Sequence, residues 1–226
     1  MSNRLLLTIG ILGGTGPEGQ GLAYRWAKAG YHVIIGSRSA DKAEAAASAL
    51  NQRLGTDLVR GLPNEEAADR CDIAVLTVPY SAHRSLLTAL RGRLAGKLLV
   101  DVTVPLGAPE VTRVQMPEEG SAAAEALAIL GEGARVAAAF HNISHVHLAR
   151  DEPIPCDVLV CGVDREARDQ TIMLAEAAGL VAWDAAPLEN AMVAEGLTSV
   201  LLGINKRHRI QSAGIRITGE PKAKTP

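Results

Sequence analysis

The sequence predicts an α/β fold, in which a mainly parallel sheet carries helices on both faces and a small C-terminal α/β domain follows. Three observations support this prediction. Continuous apolar runs alternate with alanine-rich segments typical of helices, as repeated βαβ units require. Two of the apolar runs end in Val-Pro, a pattern expected where a buried parallel strand gives way to a loop. A glycine-rich turn joins the first apolar run to the first helix.

The predicted strands are short apolar runs without the polar alternation of a half-exposed strand. The first run, residues 5–12, follows Arg4 as the core of a signal sequence would, but it has no small-residue cleavage site and leads directly into the glycine turn. We therefore interpret it as a buried strand. The later strands are predicted in a run that ends at Gly36, at 57–61, 71–79, 97–105, 135–140 and 157–162, and around 180–184.

The segments between the strands are rich in Ala, Leu, Glu, Lys and Arg, which favour helices. Ser39 is expected to be the N-cap of the second helix, since its hydroxyl can accept a hydrogen bond from a free N–H of the first turn. Residues 106–120 are polar and contain Pro and Gly, so we expect a loop or lid there, and the basic end, 206–226, closes with a frayed tail from Gly219. The helices are predicted from Pro17 and at 41–54, 64–68, 81–93, 121–130, 164–178 and 187–205.

The turn after the first strand carries a dinucleotide-binding pattern. Gly14, Gly16 and Gly19 have G-x-G-x-x-G spacing, within a strand–helix–strand unit of about 30 residues. Glycine is needed there because the backbone has to approach a phosphate closely and then pack a helix onto a strand. The helix beginning near Pro17 would direct its free N–H groups toward a pyrophosphate. We therefore predict a Rossmann-like dinucleotide site rather than a purely structural glycine turn.

The end of the second strand decides between NAD and NADP. An NAD site places Asp or Glu about twenty residues after the glycines to bind the ribose 2′-hydroxyl. Here the chain reads Ser37-Arg38-Ser39, and the first acid is Asp41. Arg38 can give paired, charge-assisted hydrogen bonds to a 2′-phosphate, and Lys42 can add charge one turn later. A solvated helix start is the structural alternative, but the absent acid together with the present base favours NADP.

A boundary between two domains is predicted near residues 135–142, where the alternation of strands and helices changes. Residues 1–135 would form the NADP-binding Rossmann-like domain, and residues 136–226 a smaller C-terminal domain. The two Val-Pro pairs, Val78-Pro79 and Val104-Pro105, fall where strands of the first domain end. Because the ligand of an open α/β sheet lies outside the carboxyl ends of the strands, these pairs favour a cofactor cleft.

The composition limits the classes of partner. Of the 226 residues, 47% are hydrophobic and 21% charged, and the formal net charge is −2. This is typical of a globular protein and gives no reason to expect nucleic acid or a membrane as a partner. Cys71, Cys156 and Cys161 have neither metal nor redox spacing, so we expect free thiols, no metal site and a reducing cytoplasm.

Several motifs resemble those of the NADPH-dependent reductases of coenzyme F420, an 8-hydroxy-5-deazaflavin hydride carrier. They are the glycine turn at 11–19, Gly36-Ser37-Arg38, the runs at 71–79 and 98–105, the turn at 140–142, and the segments 155–162 and 184–188. The resemblance covers nearly the whole chain. It implies an oxidoreductase that transfers a hydride between NADP(H) and F420, and a homodimer in which the coenzymes lie face to face in a cleft closed by the C-terminal domain.

The resemblance also implies which residues would contact the two coenzymes. The pyrophosphate would be surrounded by Thr15, Gly16, Pro17 and Glu18, and the 2′-phosphate would be bound by Ser37, Arg38 and Lys42. The nicotinamide ribose would be lined by Val78, Pro79, Val104 and Pro105. The nicotinamide and the deazaflavin would be contacted by His141, Asn142, Ile143 and Val146.

Such a reaction needs no nucleophile, metal or strong acid from the protein, because the coenzymes carry the chemistry. His141 is the candidate positioning residue, and a general acid role is its alternative. A metal site at His141, His145 and His147 is disfavoured because no carboxylate is close in sequence before Asp151.

Two further points stay open at the level of the sequence. Four basic residues near the C-terminus could meet the phosphate and glutamyl carboxylates of the deazaflavin tail, or could form only a solvated helix end. They are Lys206, Arg207, Arg209 and Arg216. The alternative functions are NADPH-dependent reduction of ferric iron or of a flavin, and non-catalytic sensing of NADP.

Overall fold

The computed structural model describes residues 7–107 and 109–219. The first two residues of the predicted first strand, Ala108 of the predicted lid, and all but Gly219 of the predicted frayed tail lie outside these ranges. Within them, none of the helices is long and apolar enough to span a bilayer.

Eight strands form one continuous sheet, with the spatial order β3-β2-β1-β4-β5-β6-β7-β8. Every neighbouring pair is parallel except β6 and β7, which are antiparallel. The chain moves outward from β1 in both directions, so the strand order reverses between β1 and β4, and such a switch point leaves a crevice at the carboxyl ends. The strands are β1 Thr8–Leu12, β2 His32–Ser37, β3 Val59–Pro63, β4 Ile73–Leu76, β5 Leu98–Asp101, β6 Arg135–Ala138, β7 Asp157–Gly162 and β8 Val181–Pro187.

Helices cover both faces of this sheet, so the predicted α/β fold is confirmed. One apolar core lies under α1, α2, α6 and α7, and a second lies under α3, α4, α5 and α8. Ser39 caps α2 as predicted, its Oγ accepting the N–H of Lys42 at 3.5 Å. The helices are α1 Pro17–Lys28, α2 Ala40–Leu54, α3 Asn64–Arg70, α4 Tyr80–Leu90, α5 Ala122–Leu130, α6 His145–Leu148, α7 Arg165–Ala177 and α8 Ala191–His208.

The C-terminal part differs from the predicted elements at its ends. Strand β8 continues to Pro187, a 3₁₀ turn follows at Leu188–Asn190, and α8 begins only at Ala191. The short helix α6 has no counterpart among the predicted elements, because four residues are too few for an apolar period. The sheet crosses the predicted boundary at 135–142 without interruption, and β7 reverses direction directly after it. The division into two domains stays a prediction.

The segment after α8, around residues 215–217, is hydrogen-bonded to Asp157 at the start of β7. The N–H of Asp157 donates to the Ile215 carbonyl at 2.8 Å. Its buried carboxylate accepts the N–H of Ile217 at 2.9 Å and the indole N–H of Trp183 at 2.8 Å. The chain after α8 therefore returns to the carboxylate of Asp157 and forms part of the wall described next.

Candidate active site

The glycine turn between β1 and α1 is held rigidly on its inner side. Gly13 has a φ of +73°, and a Cβ there would lie 2.2 Å from Cγ1 of Val78. Its N–H donates to Oδ1 of the buried Asn64 at 3.0 Å, and the N–H of Gly14 donates to the Gly36 carbonyl at 2.9 Å. Asn64 thus joins the turn to the start of α3, a role that its place as a helix opener did not indicate, and the Gly14–Gly36 bond joins the turn to the end of β2.

The outer side of the same turn is open. A Cβ added at Gly16, the N-cap of α1, would meet no atom within 4 Å, whereas one at Gly19 would lie 2.6 Å from Cα of Gly14. Gly19 therefore allows the helix to pack against the turn, and Gly16 leaves the backbone accessible. The free N–H groups at the start of α1 face this opening, as an anion site at a helix N-terminus requires.

A cavity of about 520 Å³, here called the glycine cleft, lies beside this turn. It brings together seven of the predicted coenzyme contacts from four separate stretches of sequence. They are Thr15, Gly16, Ser37, Arg38, Lys42, Val78 and Pro79. The remaining wall comes from the glycine turn, the N-cap of α2, the start of α3, the residue after β4, and α4. It consists of Gly13, Ser39, Asn64, Glu65, Thr77, Ala82, Ser85, Leu86 and Ala89.

The two cations of the glycine cleft are available to a ligand. Arg38 and Lys42 are exposed, and neither side chain forms a hydrogen bond or ion pair with any residue that the structure describes. Ser37 is buried, and its Oγ accepts the N–H of Ser39 at 3.2 Å, which fixes the backbone between the two cations. Free guanidinium and ammonium groups beside exposed N–H groups are the donors that a phosphate monoester binds.

A second cavity, of about 370 Å³ and here called the histidine cleft, lies on the other side of the first turn of α1. Its wall is mainly apolar and carries a few polar groups, a composition suited to a flat ring system. Its residues come from α1, the loop after β5, the turn after β6, α8 and the last described segment. They are Glu18, Val102, Val104, Leu106, Phe140, His141, Asn142, Ile143, Ser144, His145, Thr198, Leu201, Leu202, Asn205, Ser212 and Ala213.

The turn after β6 has a strained backbone. Phe140 has a φ of +69°, which costs a bulky residue roughly 1–3 kcal/mol. Its ring packs edge-on against the buried Trp26 at 5.9 Å between centroids, and that contact helps to hold the conformation. The side chain of Asn142 donates to the Asp157 carbonyl at 2.8 Å. The turn is therefore fixed from both sides, and it presents the His141 ring to the cleft.

Two polar side chains of the histidine cleft have buried atoms without a partner. Both ring nitrogens of His141 and Oε1 of Glu18 form no hydrogen bond with any residue that the structure describes. Burial lowers the pKa of His141 to about 4, against the opposing charge of Asp101, so the imidazole is neutral near pH 7. Burial raises the pKa of Glu18 to about 8, so this carboxyl is mostly protonated there. Both groups can therefore form hydrogen bonds to a neutral ring without adding charge to the cleft.

Behind the clefts lies a buried polar network that the sequence did not reveal. His83 of α4 is fully buried, with Nε2 2.7 Å from Oδ2 of Asp101 and Nδ1 3.3 Å from Oε1 of Glu125. The hydroxyl of Tyr80 donates to Glu125 at 2.6 Å, and Oδ1 of Asp101 accepts the N–H of Thr103 at 2.9 Å. The network fixes the start of the loop whose Val102 and Val104 line the histidine cleft. Its only sequence signal is the i, i+3 spacing of Tyr80 and His83 on one helix face.

The other predicted contacts lie elsewhere. Glu18 and Val104 line the histidine cleft rather than the glycine cleft, and Pro17, Pro105 and Val146 line neither. The four basic residues near the C-terminus are exposed and do not line the histidine cleft, although Lys206 directly follows its lining residue Asn205. Across residues 7–107 and 109–219, no group of three or more His, Cys, Asp or Glu side chains is arranged to hold a metal ion.

Comparison with known proteins gives consistent matches. A family model described as NADP oxidoreductase, coenzyme F420-dependent, matches residues 8–105. The F420-dependent NADP reductase of Methanothermobacter thermautotrophicus is 43% identical over 227 residues, which cover 96% of this chain and 97% of the relative. Metalloreductase STEAP3 of Rattus norvegicus is 32% identical over 86% of this chain, but the match spans only 37% of that protein.

Solved structures show the same fold. The crystal structure of an Arthrobacter protein assigned as an F420-dependent NADP reductase superposes with a TM-score of 0.78, covering 94% of this chain and 100% of that one at 23% identity. The family resemblance predicted from the motifs is therefore confirmed. Since the identity to the Methanothermobacter reductase extends over nearly all of both chains, this chain belongs to the family of coenzyme F420-dependent NADP oxidoreductases.

Proposed function

We propose that this chain transfers a hydride between NADP(H) and the deazaflavin coenzyme F420. The observation that carries the proposal is the pair of clefts on either side of the first turn of α1. One holds free cations beside open backbone N–H groups, and the other is mainly apolar with neutral polar groups. A dinucleotide phosphate and a flat ring system need these two different environments.

The glycine cleft suits the adenosine half of NADP(H). Arg38 and Lys42 would bind the 2′-phosphate, and the N–H groups at the start of α1 would bind the pyrophosphate beside Gly16. An extended dinucleotide held in this way has its nicotinamide end on the far side of the turn. That end would reach the histidine cleft past Val78, which lines the glycine cleft, and Val104, which lines the histidine cleft.

The histidine cleft suits the nicotinamide and the deazaflavin together. The two coenzymes supply the chemistry, a hydride that passes between C4 of nicotinamide and C5 of the deazaflavin. The apolar wall excludes water, and the His141 ring and the Glu18 carboxyl offer hydrogen bonds that orient the rings. Holding the reacting carbons at about 3–3.5 Å can account for roughly 7–11 kcal/mol of barrier reduction.

Parts of the proposal concern the C-terminal third. Residues 136–226 would close the cleft formed by residues 1–135, since the histidine cleft takes its lining from both parts and the glycine cleft only from the first. The exposed cations that follow Asn205, from Lys206 to Arg216, would meet the anionic tail of the deazaflavin. Removing two of these charges should weaken binding of the full coenzyme more than binding of its tail-free ring system.

We further propose that the chain works as a homodimer in the cytoplasm. Val193, Val200 and Ile204 are spaced along one face of α8 and are exposed, Val193 by 67%, which is unusual for apolar residues grouped on one helix. Val200→Glu should then shift the mass measured by analytical ultracentrifugation from dimer to monomer. The control is Val181→Glu on β8, an equally apolar residue that is 54% exposed but away from α8.

Stopped-flow mixing of the chain with NADPH and F420 tests the function. We expect the deazaflavin absorbance to bleach with NADPH and much more slowly with NADH. Reduction of ferric iron or flavin without bleaching would favour the alternative that the metalloreductase match supports. Binding of NADPH with no turnover of any acceptor would favour a sensor.

A further inference from the structure

Glu18 is an acid in a place where the dinucleotide motif does not call for one. It is the second residue of α1, lines the histidine cleft with His141 and Thr198, and has a buried Oε1 without a hydrogen-bond partner. Burying a carboxyl oxygen without a partner is unfavourable. The placement is explained if a ligand in the cleft supplies the partner.

The surroundings of Glu18 keep it neutral. Desolvation raises the pKa of its carboxyl to about 8. The other titratable groups that line the cleft are His141 and His145, both from the turn after β6 and the start of α6. The loop after β5, helix α8 and the segment at 212–213 contribute no charged side chain to the lining. A pyrophosphate bound at the same turn would favour the neutral carboxyl further, since like charges disfavour ionisation.

His141 has no imidazolium proton to donate near neutral pH. Burial lowers the pKa of its imidazolium to about 4, so the ring carries no extra proton near neutral pH. Its backbone carbonyl accepts the hydroxyl of Thr198 at 2.7 Å, which fixes the turn. The ring can position a ligand, but Glu18 has the proton that can be given away.

We propose that Glu18 is the general acid of F420 reduction and supplies the proton that this reaction consumes. The inference rests on the proposed function. The C4–H bond of NADPH breaks, and its hydride forms the C5–H bond of the deazaflavin, so two electrons leave the nicotinamide and enter the deazaflavin. The O–H bond of Glu18 breaks as its proton passes to a ring nitrogen conjugated with C5. Water then returns a proton to the Glu18 carboxylate, and in the reverse direction the carboxylate acts as the base.

Two substitutions separate proton transfer from positioning. Glu18→Gln keeps the shape and a hydrogen-bond donor but cannot transfer a proton, and Glu18→Leu removes both. In single-turnover stopped flow, the wild-type rate of F420 reduction should fall with rising pH, at a midpoint above the value of about 8 for the protein alone, because the bound pyrophosphate raises the pKa of Glu18 further. Glu18→Gln should be slower by about 10²–10⁴-fold, should lose this decline and should lose the solvent deuterium isotope effect.

A second measurement does not depend on turnover. Infrared titration of the protein alone should show protonated carboxyl absorption that disappears with a midpoint near 8, and Glu18→Gln should remove the part of it that Glu18 contributes. Glu195 is the control, since burial raises its pKa to about 8 as well, but it accepts the N–H groups of Ala122 and Ala123 and lines neither cleft. The Glu18 band should persist in Glu195→Gln.

The outcomes are distinct. Wild-type protein that does not reduce F420 refutes the proposed function. Wild-type protein that is active, with Glu18→Gln equally active, overturns only the acid role. The same holds if Glu18→Gln retains the rate while Glu18→Leu loses it, because Glu18 is then a positioning residue. A Glu18→Gln/Glu195→Gln double variant that keeps the same band as Glu195→Gln also contradicts the inference.

Discussion

His83 offers the sharpest test of how the clefts are supported. It lies between two carboxylates, Asp101 at the end of β5 and Glu125 of α5, and all three side chains are almost completely buried. His83→Leu fills a similar volume but leaves both carboxylates without their shared partner. Because Asp101 also accepts the N–H of Thr103, the loop that lines the histidine cleft loses its fixed starting point.

The magnitude follows from the burial of the network. Removing one partner of a buried ion pair costs about 3–5 kcal/mol, since it leaves an uncompensated charge in the interior. For a chain of this size, each kcal/mol lowers the melting temperature by roughly 2–4 °C, so His83→Leu should lower it by roughly 6–20 °C. Removing the exposed His32 by His32→Leu should change stability by less than about 0.5 kcal/mol.

The contribution of His83 should also depend on pH. Burial opposes the charged imidazolium, but the hydrogen bonds and charges of Asp101 and Glu125 outweigh it and raise the pKa of His83 above its ordinary value of 6.5. A raised pKa stabilises the folded state below the unfolded value and loses this effect as the pH rises through the folded value. The stability difference between wild type and His83→Leu should therefore be largest below pH 6.5 and shrink above it.

Thermal and urea unfolding at several pH values measure this difference, and the Michaelis constant for F420 reports on the loop. A melting temperature of His83→Leu equal to that of His32→Leu would show that the network does not support the fold. A stability difference between wild type and His83→Leu that grows as the pH rises would show that His83 is neutral, not positively charged, in the folded protein.

Four other substitutions test the site. Arg38→Ala should raise the Michaelis constant for NADPH by about 10- to 100-fold, because charged hydrogen bonds are lost. The Michaelis constant for NADH should stay nearly unchanged. An equal effect on both constants would contradict 2′-phosphate binding. Gly16→Ala should leave the melting temperature nearly unchanged but weaken NADPH binding measured by calorimetry. Gly13→Ala should instead lower the melting temperature, because of these two glycines only Gly13 has a positive φ and a close neighbour. His141→Ala should raise the Michaelis constant for F420. It should not remove an ionisation from the pH profile of the rate above pH 5, since the pKa of His141 is about 4. Loss of an ionisation above pH 5 would indicate that His141 acts as a general acid.

The sheet could be predicted from sequence because its signals are local. Except for β3, which contains Arg60, the strands from β1 to β7 coincide with apolar runs, and the Ser39 cap and the glycine turn mark where helices begin. The antiparallel direction of β7 could not be predicted in the same way, since it depends on pairing between Ala138 and Cys161, far apart in the chain. Nor could α6, whose single turn depends on the Ser144 cap and on packing against α1.

The glycine cleft was predictable for the same reason, since Thr15, Gly16, Ser37 and Arg38 belong to one strand–helix–strand unit. The histidine cleft was predictable only in part, because its walls come from distant stretches of the chain. Neither the positive φ of Phe140 nor the pairing of His83 with two carboxylates has a sequence pattern. The resemblance led to His141, but the position of Glu18 required the structure.

The first turn of α1 explains why one short motif can serve two coenzymes. Gly16 and Glu18 are two positions apart in a helical turn, so they face different directions, the first into the glycine cleft and the second into the histidine cleft. A ligand phosphate at Gly16 therefore lies two residues along the chain from the acid that shares the cleft with His141. Binding of the dinucleotide should then influence the protonation of Glu18 directly, through the charge of the pyrophosphate and the loss of water. In the proposed arrangement, the cation and N–H side of the turn would select NADP, and its acid side would prepare the second cleft for the deazaflavin.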